Sequence, residues 1–304
     1  MEQSTETLIK IIDDPEEMVL VEELQRQVWP GSETDVVPLH MLRAAVHSGG
    51  LVIGAYEKTS PNAGSEPQLT GFVFGFPGIY ETPDGPRLKH CSHMMGILPG
   101  RRDQGLGFRL KRAQWQMVRK QGIDRVTWTF DPLLSRNAHL NIARLGAVCN
   151  TYEVAFYGPM RDGLNAGLDS DRFAVDLWVN SRRVERRLSS EARPELKRSD
   201  FEAAQAEILN PVTFDQAGFP VPPARASALP AYQEKLCLVE IPSDFSALKA
   251  SNFELAKIWR HHIREIFLDL FAREYYVTDF LYEPAEPSRS ARSFYVLSHG
   301  NSTL

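Results

Sequence analysis

Apolar positions recur along this chain with two periods, one of about two residues and one of about 3.6, and the switches between them mark the expected elements. Residues 7–13 are apolar and β-branched, which predicts a strand. Asp13-Asp14-Pro15 predicts a helix start, with Pro15 in the first turn and Glu16 and Glu17 at the positive end of the dipole. Met18, Val21, Leu24 and Val28 follow at helical spacing, and Trp29-Pro30-Gly31 stops the run. A second helix is expected over 38–48. Residues 51–57, 69–76 and 87–98 read as three strands; their short, turn-rich links make them antiparallel neighbours. After Pro99 the period lengthens: Leu106, Leu110, Ala113 and Met117 form one helical face that Gly122 closes. A strand over 125–130, a helix over 137–145 and strands over 152–157 and 172–179 complete this stretch.

The pattern then weakens. Residues 181–200 are charged and locally basic, which fits a solvated connecting helix. Residues 210–230 hold five prolines and few large apolar side chains, as a linker or long surface loop would. A second ordered block follows: strand 234–241, a long amphipathic helix over 253–271 through Leu255, Trp259, Ile263, Ile266 and Leu270, and strands 275–282 and 293–298. Its order repeats that of 125–179, and VEIPSDF echoes TFDPLLS. Three segments are therefore expected: 1–180, 181–230 and 231–304. The class is mixed α/β, a mostly antiparallel twisted sheet flanked by helices, with a C-terminal block that reads either as a half-copy of the first fold or as an unrelated cap.

Composition narrows the function. The chain has 304 residues, 43% hydrophobic and 24% charged, enough for a substantial core. Net charge is −5, from 34 basic and 39 acidic side chains, which argues against nucleic acid as the partner. The acidic start shows no signal-peptide pattern, and the most apolar stretch, 71–80, is too short to span a bilayer. Cys91, Cys149 and Cys237 are far apart, with no disulfide framework or metal-ligand spacing, as in a reduced, cytoplasmic protein. His261, His262 and Glu265 share a helix, but adjacent histidines project about 100° apart, so no metal is expected.

One segment carries chemistry: MGILPGRRDQGLGFRLKRAQ, residues 95–114. A strand ends at Ile97-Leu98-Pro99, a loop with Arg101 and Arg102 follows, and Gly105 and Gly107 open a helix. Glycine permits close backbone approach, and amides at a helix start bind phosphate. The Walker pattern and the Rossmann fingerprint are both absent. On the residues alone, an anion cradle and a plain helix start both remain open.

Read as a whole, the segment resembles the GNAT superfamily of acyl-CoA-dependent N-acyltransferases. The family motif is an apolar residue, any residue, Pro, two more, then Gln/Arg-x-x-Gly-x-Gly/Ala. Ile97-Leu98-Pro99-Gly100-Arg101-Arg102-Asp103-Gln104-Gly105-Leu106-Gly107 meets every fixed position. The element order over 7–180 is similar too. Residues 128–147, YEVAFYG at 152–158 and DRF at 171–173 resemble a branch described as GNAT-superfamily acetyltransferases, some of whose members are linked to N-succinylamino-acid metabolism.

The resemblance implies roles. Met95, Gly96 and Ile97 would offer backbone groups to the pantetheine arm, and a backbone amide near Ile97 would stabilise the oxyanion. The amides of Asp103, Gln104, Gly105, Leu106, Gly107 and Phe108 would hold the pyrophosphate, with Arg102 at the Gln/Arg position. There are departures. The tyrosine that commonly protonates the leaving thiolate falls on Ile142, and the customary asparagine on Ser135; Asn137 and Asn141 lie close by as polar substitutes. The glutamate that several members use as general base falls on Cys91. His93 is two residues further on, where regular strand geometry would put 91, 93, 95 and 97 on one face; it is either the base or a histidine satisfying a buried partner. Asp131 is either a second base candidate or an Asp-Pro turn residue. Tyr157, expected on a strand, is an acid, a substrate contact or a core aromatic. Arg161 and Arg172 would bind a carboxylate, or else pair with Asp162, Asp169 or Asp171 beside them.

The implied activity is transfer of an acetyl group from acetyl-CoA to a primary amine of a small molecule such as an amino acid, in a ternary complex. Alternatives are N-succinyl transfer from succinyl-CoA and a catalytically inactive CoA-binding module. No membrane partner is expected, and a homodimer is compatible with the family.

Overall fold

The computed structural model describes residues 7–31, 33–57, 67–158, 167–189, 196–224 and 235–300. By packing they form two compact units, Met1–Trp128 with Trp178–Asn180, and Thr129–Leu177 with Ser181–Leu304. Residues 129–177 thus group with the C-terminal block, across the boundary expected at residue 180.

The first unit begins with strand β1 (Thr7–Ile11), helix α1 (Pro15–Val28), helix α2 (Leu39–His47) and strands β2 (Leu51–Glu57), β3 (Gln68–Tyr80) and β4 (Arg87–Ile97). Asp14 caps α1 by accepting from the Glu16 amide at 2.8 Å. The apolar face expected for α1 is the buried one: Met18, Val21, Leu24 and Val28 pack with Leu42 of α2 and with Val52, Phe72 and Phe74 of the sheet. β2 to β4 form an antiparallel meander, as the short links required, and β1, reached through α1 and α2, pairs antiparallel with β2. A 3₁₀ turn (Pro99–Arg101) leads to helix α3 (Leu106–Lys120), and β5 (Arg125–Phe130) follows. β5 joins β4 in parallel through only two positions, His90↔Val126 and Cys91↔Thr127. Trp115 Nε1 donates to Val179 O at 2.9 Å, tying α3 to the Trp178–Asn180 strip.

The second unit starts after the Asp131 turn with a short helix α4 (Ser135–Ala138). It continues as a π turn over His139–Arg144 rather than as the α-helix expected for 137–145; the Leu145 amide donates to Leu140 O at 2.9 Å, an i→i+5 bond. Strands β6 (Val148–Glu153) and β7 (Arg172–Trp178) form an antiparallel hairpin. Helices α5 (Arg182–Leu188) and α6 (Arg198–Ala203) occupy the basic segment. Short strand β8 (Glu207–Ile208) precedes the proline-rich stretch, which carries β9 (Thr213–Phe214) and β10 (Pro220–Val221). Strand β11 (Leu236–Ile241), helices α7 (Phe245–Ser251) and α8 (Phe253–Ala272), and strands β12 (Tyr275–Glu283) and β13 (Arg292–His299) end the described chain. The sheet order in this unit is β7-β6-β12-β13-β11-β8. Two hairpins, β6–β7 and β12–β13, meet through the antiparallel Cys149↔Val277 pair. Phe173, Phe267 and Tyr295 interlock behind them at centroid distances of 4.7–5.4 Å.

The mixed α/β class with a mostly antiparallel sheet is therefore as expected. Among the described residues no helix is long and apolar enough to cross a membrane, and no group of three or more metal-ligating side chains converges. His262 is buried, with Nε2 3.3 Å from Asn210 Nδ2.

Candidate active site

In the first unit, the turn before α3 has two residues with positive φ, two positions apart. Asp103 has φ +65° and Gly105, at the N-cap, has φ +74°. A Cβ on Gly105 would meet nothing within 4 Å, so the glycine serves backbone conformation and open access rather than packing. The amides of the first helical turn lack intrahelical acceptors and carry the positive end of the dipole. Arg102 donates from Nε to Ile97 O at 3.2 Å, and Arg101 approaches the buried Glu57 carboxylate at 3.3 Å. Arg109 Nη2 holds Thr7 O at 2.9 Å, tying β1 to the first turn of α3.

β4 leaves its ladder with β5 after Cys91 but runs on to Ile97. Its edge on that side therefore leaves the Met95–Ile97 backbone outside the β4–β5 ladder, where an extended ligand arm can add as a strand does. Gly96 is needed on the other face: a Cβ there would lie 2.7 Å from Phe72 and 3.2 Å from Trp29.

The expectation that 91, 93, 95 and 97 share a face is corrected. The β3–β4 register jumps from Phe74↔Met94 to Gly75↔Ser92, so His93 is a bulged residue without a ladder partner. The extra residue inverts the alternation. Cys91, Met94 and Gly96 oppose Phe76, Phe74 and Phe72 on the α1–α2 side, whereas Met95 and Ile97 oppose Val73 and Gly71 on the α3 side. The His93 ring packs on Phe74 and Phe76, centroids 6.0 and 5.7 Å away. One side of the ring is open to solvent; the covered side is desolvated, which lowers its pKa from the ordinary value.

The second unit gathers Asp131, Tyr157 and Arg172. Asp131 accepts from both terminal nitrogens of Arg260 at 2.8 and 2.6 Å and from the Leu133 amide at 2.9 Å, with Arg172 at 3.9 Å. Its oxygens are thus engaged, and the turn reading describes them better than a free base does. Tyr157 is not on a strand: β6 ends at Glu153, the chain turns through Ala155 at φ +49°, and Tyr157 is exposed. Its hydroxyl lies 3.2 Å from Thr129 Oγ1, and the Arg172 guanidinium stacks 5.1 Å from its ring. Among the described residues, Asp169 and Asp171 pair with Arg264 of α8, at 2.6 and 2.8 Å. Tyr152 donates to Asp171 at 2.7 Å, and these bonds hold the Asp171 carboxyl below its ordinary pKa against the opposing effect of burial. Asn141 is buried in the π turn and Asn137 is exposed on α4. Arg161 lies outside the described residues.

Among the solved structures similar to this chain are acetyltransferases. They include Arabidopsis thaliana NAA60 in complex with acetyl-CoA (16% identity, 58% of this chain and 100% of that one, TM-score 0.47). The ribosomal-protein-S18-alanine N-acetyltransferase from Escherichia coli matches at 14% identity over 63% of this chain and 99% of its own, TM-score 0.42. An acetyltransferase of the GNAT family from Streptococcus pneumoniae matches at 13% identity over 57% and 99%, TM-score 0.43. No protein-family model and no curated protein matches the sequence.

The sequence reading missed Arg260 and Arg264, although Arg260 interrupts the apolar stripe of α8 between Trp259 and Ile263. It also missed Lys111 and Gln114. The stripe expected on α3 was Leu106, Leu110, Ala113 and Met117; the buried face is instead Leu106, Leu110, Lys111, Gln114, Trp115 and Val118. Two polar side chains hid it.

Proposed function

We propose that this chain is an acyl-CoA-dependent N-acyltransferase of the GNAT type, moving an acetyl group to the primary amine of a small molecule. The observation that carries the reading is the course of β4, which parts from β5 after Cys91 and runs into an α3 whose N-cap, Gly105, is left-handed and open. The motif from Ile97 to Gly107 lies across that junction.

In this reading the amides from Asp103 to Phe108 hold the pyrophosphate, with Arg102 beside them. Met95, Gly96 and Ile97 pair with the pantetheine arm, which leaves the thioester by the open edge. His93, neutral at pH 7 because desolvation lowers its pKa, accepts the proton of the attacking amine. The amine nitrogen forms a bond to the thioester carbon, a backbone amide near Ile97 supports the oxyanion, and the C–S bond breaks to release CoA thiolate. Tyr157 is the proposed donor to that thiolate, since Ile142, at the customary tyrosine position, is apolar and fully buried. Arg172 is the proposed contact for a carboxylate on the acceptor, which favours an amino acid. Asp131 is assigned to holding Arg260 and Arg172 rather than to proton transfer.

The test is release of free thiol from acetyl-CoA and from succinyl-CoA with a panel of amino acids, polyamines and peptide N-termini. Turnover with an amino acid, lost in Arg172→Ala, supports the reading. Tight CoA binding without turnover on any amine replaces it with a CoA-binding module.

A further inference from the structure

Beneath the His93 bulge lies a buried polar chain that the proposed chemistry does not use. Lys111 Nζ donates to Ser92 Oγ at 2.7 Å, and Ser92 Oγ donates to Gln114 Oε1 at 2.9 Å. Gln114 Nε2 meets His90 Nε2 at 3.1 Å; the amide is the donor, so neutral His90 carries its proton on Nδ1. All four side chains are buried, Lys111 at 7% exposure and His90 at 0%. The ammonium lies 4.1 Å from the centre of the Trp128 ring, and among the described residues no carboxylate pairs with it.

A cation buried without a counter-ion is costly, and desolvation brings the Lys111 pKa down to about 7. An apolar side chain of similar length would fill the space at lower cost. What an apolar side chain lacks is a donor for Ser92. That residue immediately precedes the bulge, at the point where β4 has lost β5 on one side and where His93 has no ladder partner on the other. The ladder alone therefore does not fix the bulge. Lys111 reaches Ser92 there from α3, the helix whose first turn forms the proposed cradle.

We propose that Lys111, acting through Ser92, is a positioning residue for acyl transfer that sets where the bulge presents His93. The inference rests on the acyltransferase reading. The rings on His93, Phe74 and Phe76, carry no charge, and the titratable neighbours of Lys111 are Cys91 and His90. A displaced bulge would therefore be felt by His93 as a change in desolvation.

Lys111→Met and Ser92→Ala test this through steady-state kinetics, CoA affinity by calorimetry, thermal melts and a proton NMR titration of the His93 ring. The expected result is a kcat loss on the order of 10- to 100-fold, the effect of a small misplacement. CoA affinity should be unchanged, and the His93 pKa should rise towards about 6.5. Ser92→Ala keeps the test open if Lys111→Met does not fold. Folded variants with wild-type kcat and an unshifted His93 overturn the proposal, as does lost stability with an unshifted His93. If the wild-type chain turns over no amine, the acyltransferase reading falls on that measurement, and the NMR titration still decides whether Lys111 positions His93.

Discussion

Arg260 on α8 grips Asp131 with two parallel hydrogen bonds of 2.8 and 2.6 Å, although the two residues are 129 positions apart in sequence. The Arg260 side chain is 2% exposed and that of Asp131 17%, so removing the carboxylate strands a buried cation. Asp131→Asn should therefore lose about 3–5 kcal/mol in urea unfolding. Adding Arg260→Met should recover part of that loss, because the stranded cation goes with it. A double variant no more stable than Asp131→Asn would show that the pair is not the source of the effect.

The cradle is tested at Gly105. Its φ of +74° strains any β-branched residue, and the side chain would project into the open space before α3. Gly105→Val should weaken CoA binding on the order of tenfold or more in calorimetry. Unchanged affinity in a folded variant would remove the loop from the binding site.

His93 predicts a pH profile as well as a rate. His93→Ala should lower kcat by about 10²–10⁴-fold. The base acts when neutral, and its pKa lies below the ordinary value, so the wild-type rate should be flat near neutrality and fall on acidification below about pH 6.5. That acid limb should be missing from the variant. A limb that persists in His93→Ala belongs to another group.

His90 predicts a pH dependence of stability. Burial lowers its pKa to about 4 in the folded chain, against an ordinary value near 6.5. The unfolded chain therefore binds more protons between these values. The contribution is fully present above pH 6.5 and is lost as pH falls to 4, by about 3 kcal/mol. His262, also brought to about 4 by burial, acts in the same direction. Urea midpoints should drop steadily from pH 7 to pH 4.5, a window above that in which the Asp171 carboxylate is protonated. A flat stability across that window would contradict the burial of both imidazoles.

Local rules determined much of this protein from the sequence. Met18, Val21, Leu24 and Val28 show α1 because a buried helical face must repeat at its own period, and the strands of the meander show because their links are too short for any other pairing. The segment from Ile97 to Gly107 shows the turn into α3 because glycine at Gly105 allows a left-handed residue before an open helix start. What tertiary structure decided was everything that depends on a partner distant in sequence. The bulge at His93 is a mismatch between two strands and has no signature on either one, yet it moved Cys91 off the face of Met95 and Ile97. Lys111 and Gln114 fall outside the apolar stripe expected on α3 because charge and amide groups are costly to bury. Only the facing Ser92, His90 and Trp128 make that burial possible. Arg260 and Arg264, far along the chain, hold Asp131, Asp169 and Asp171, since an ion pair is selected by distance in space and not along the chain.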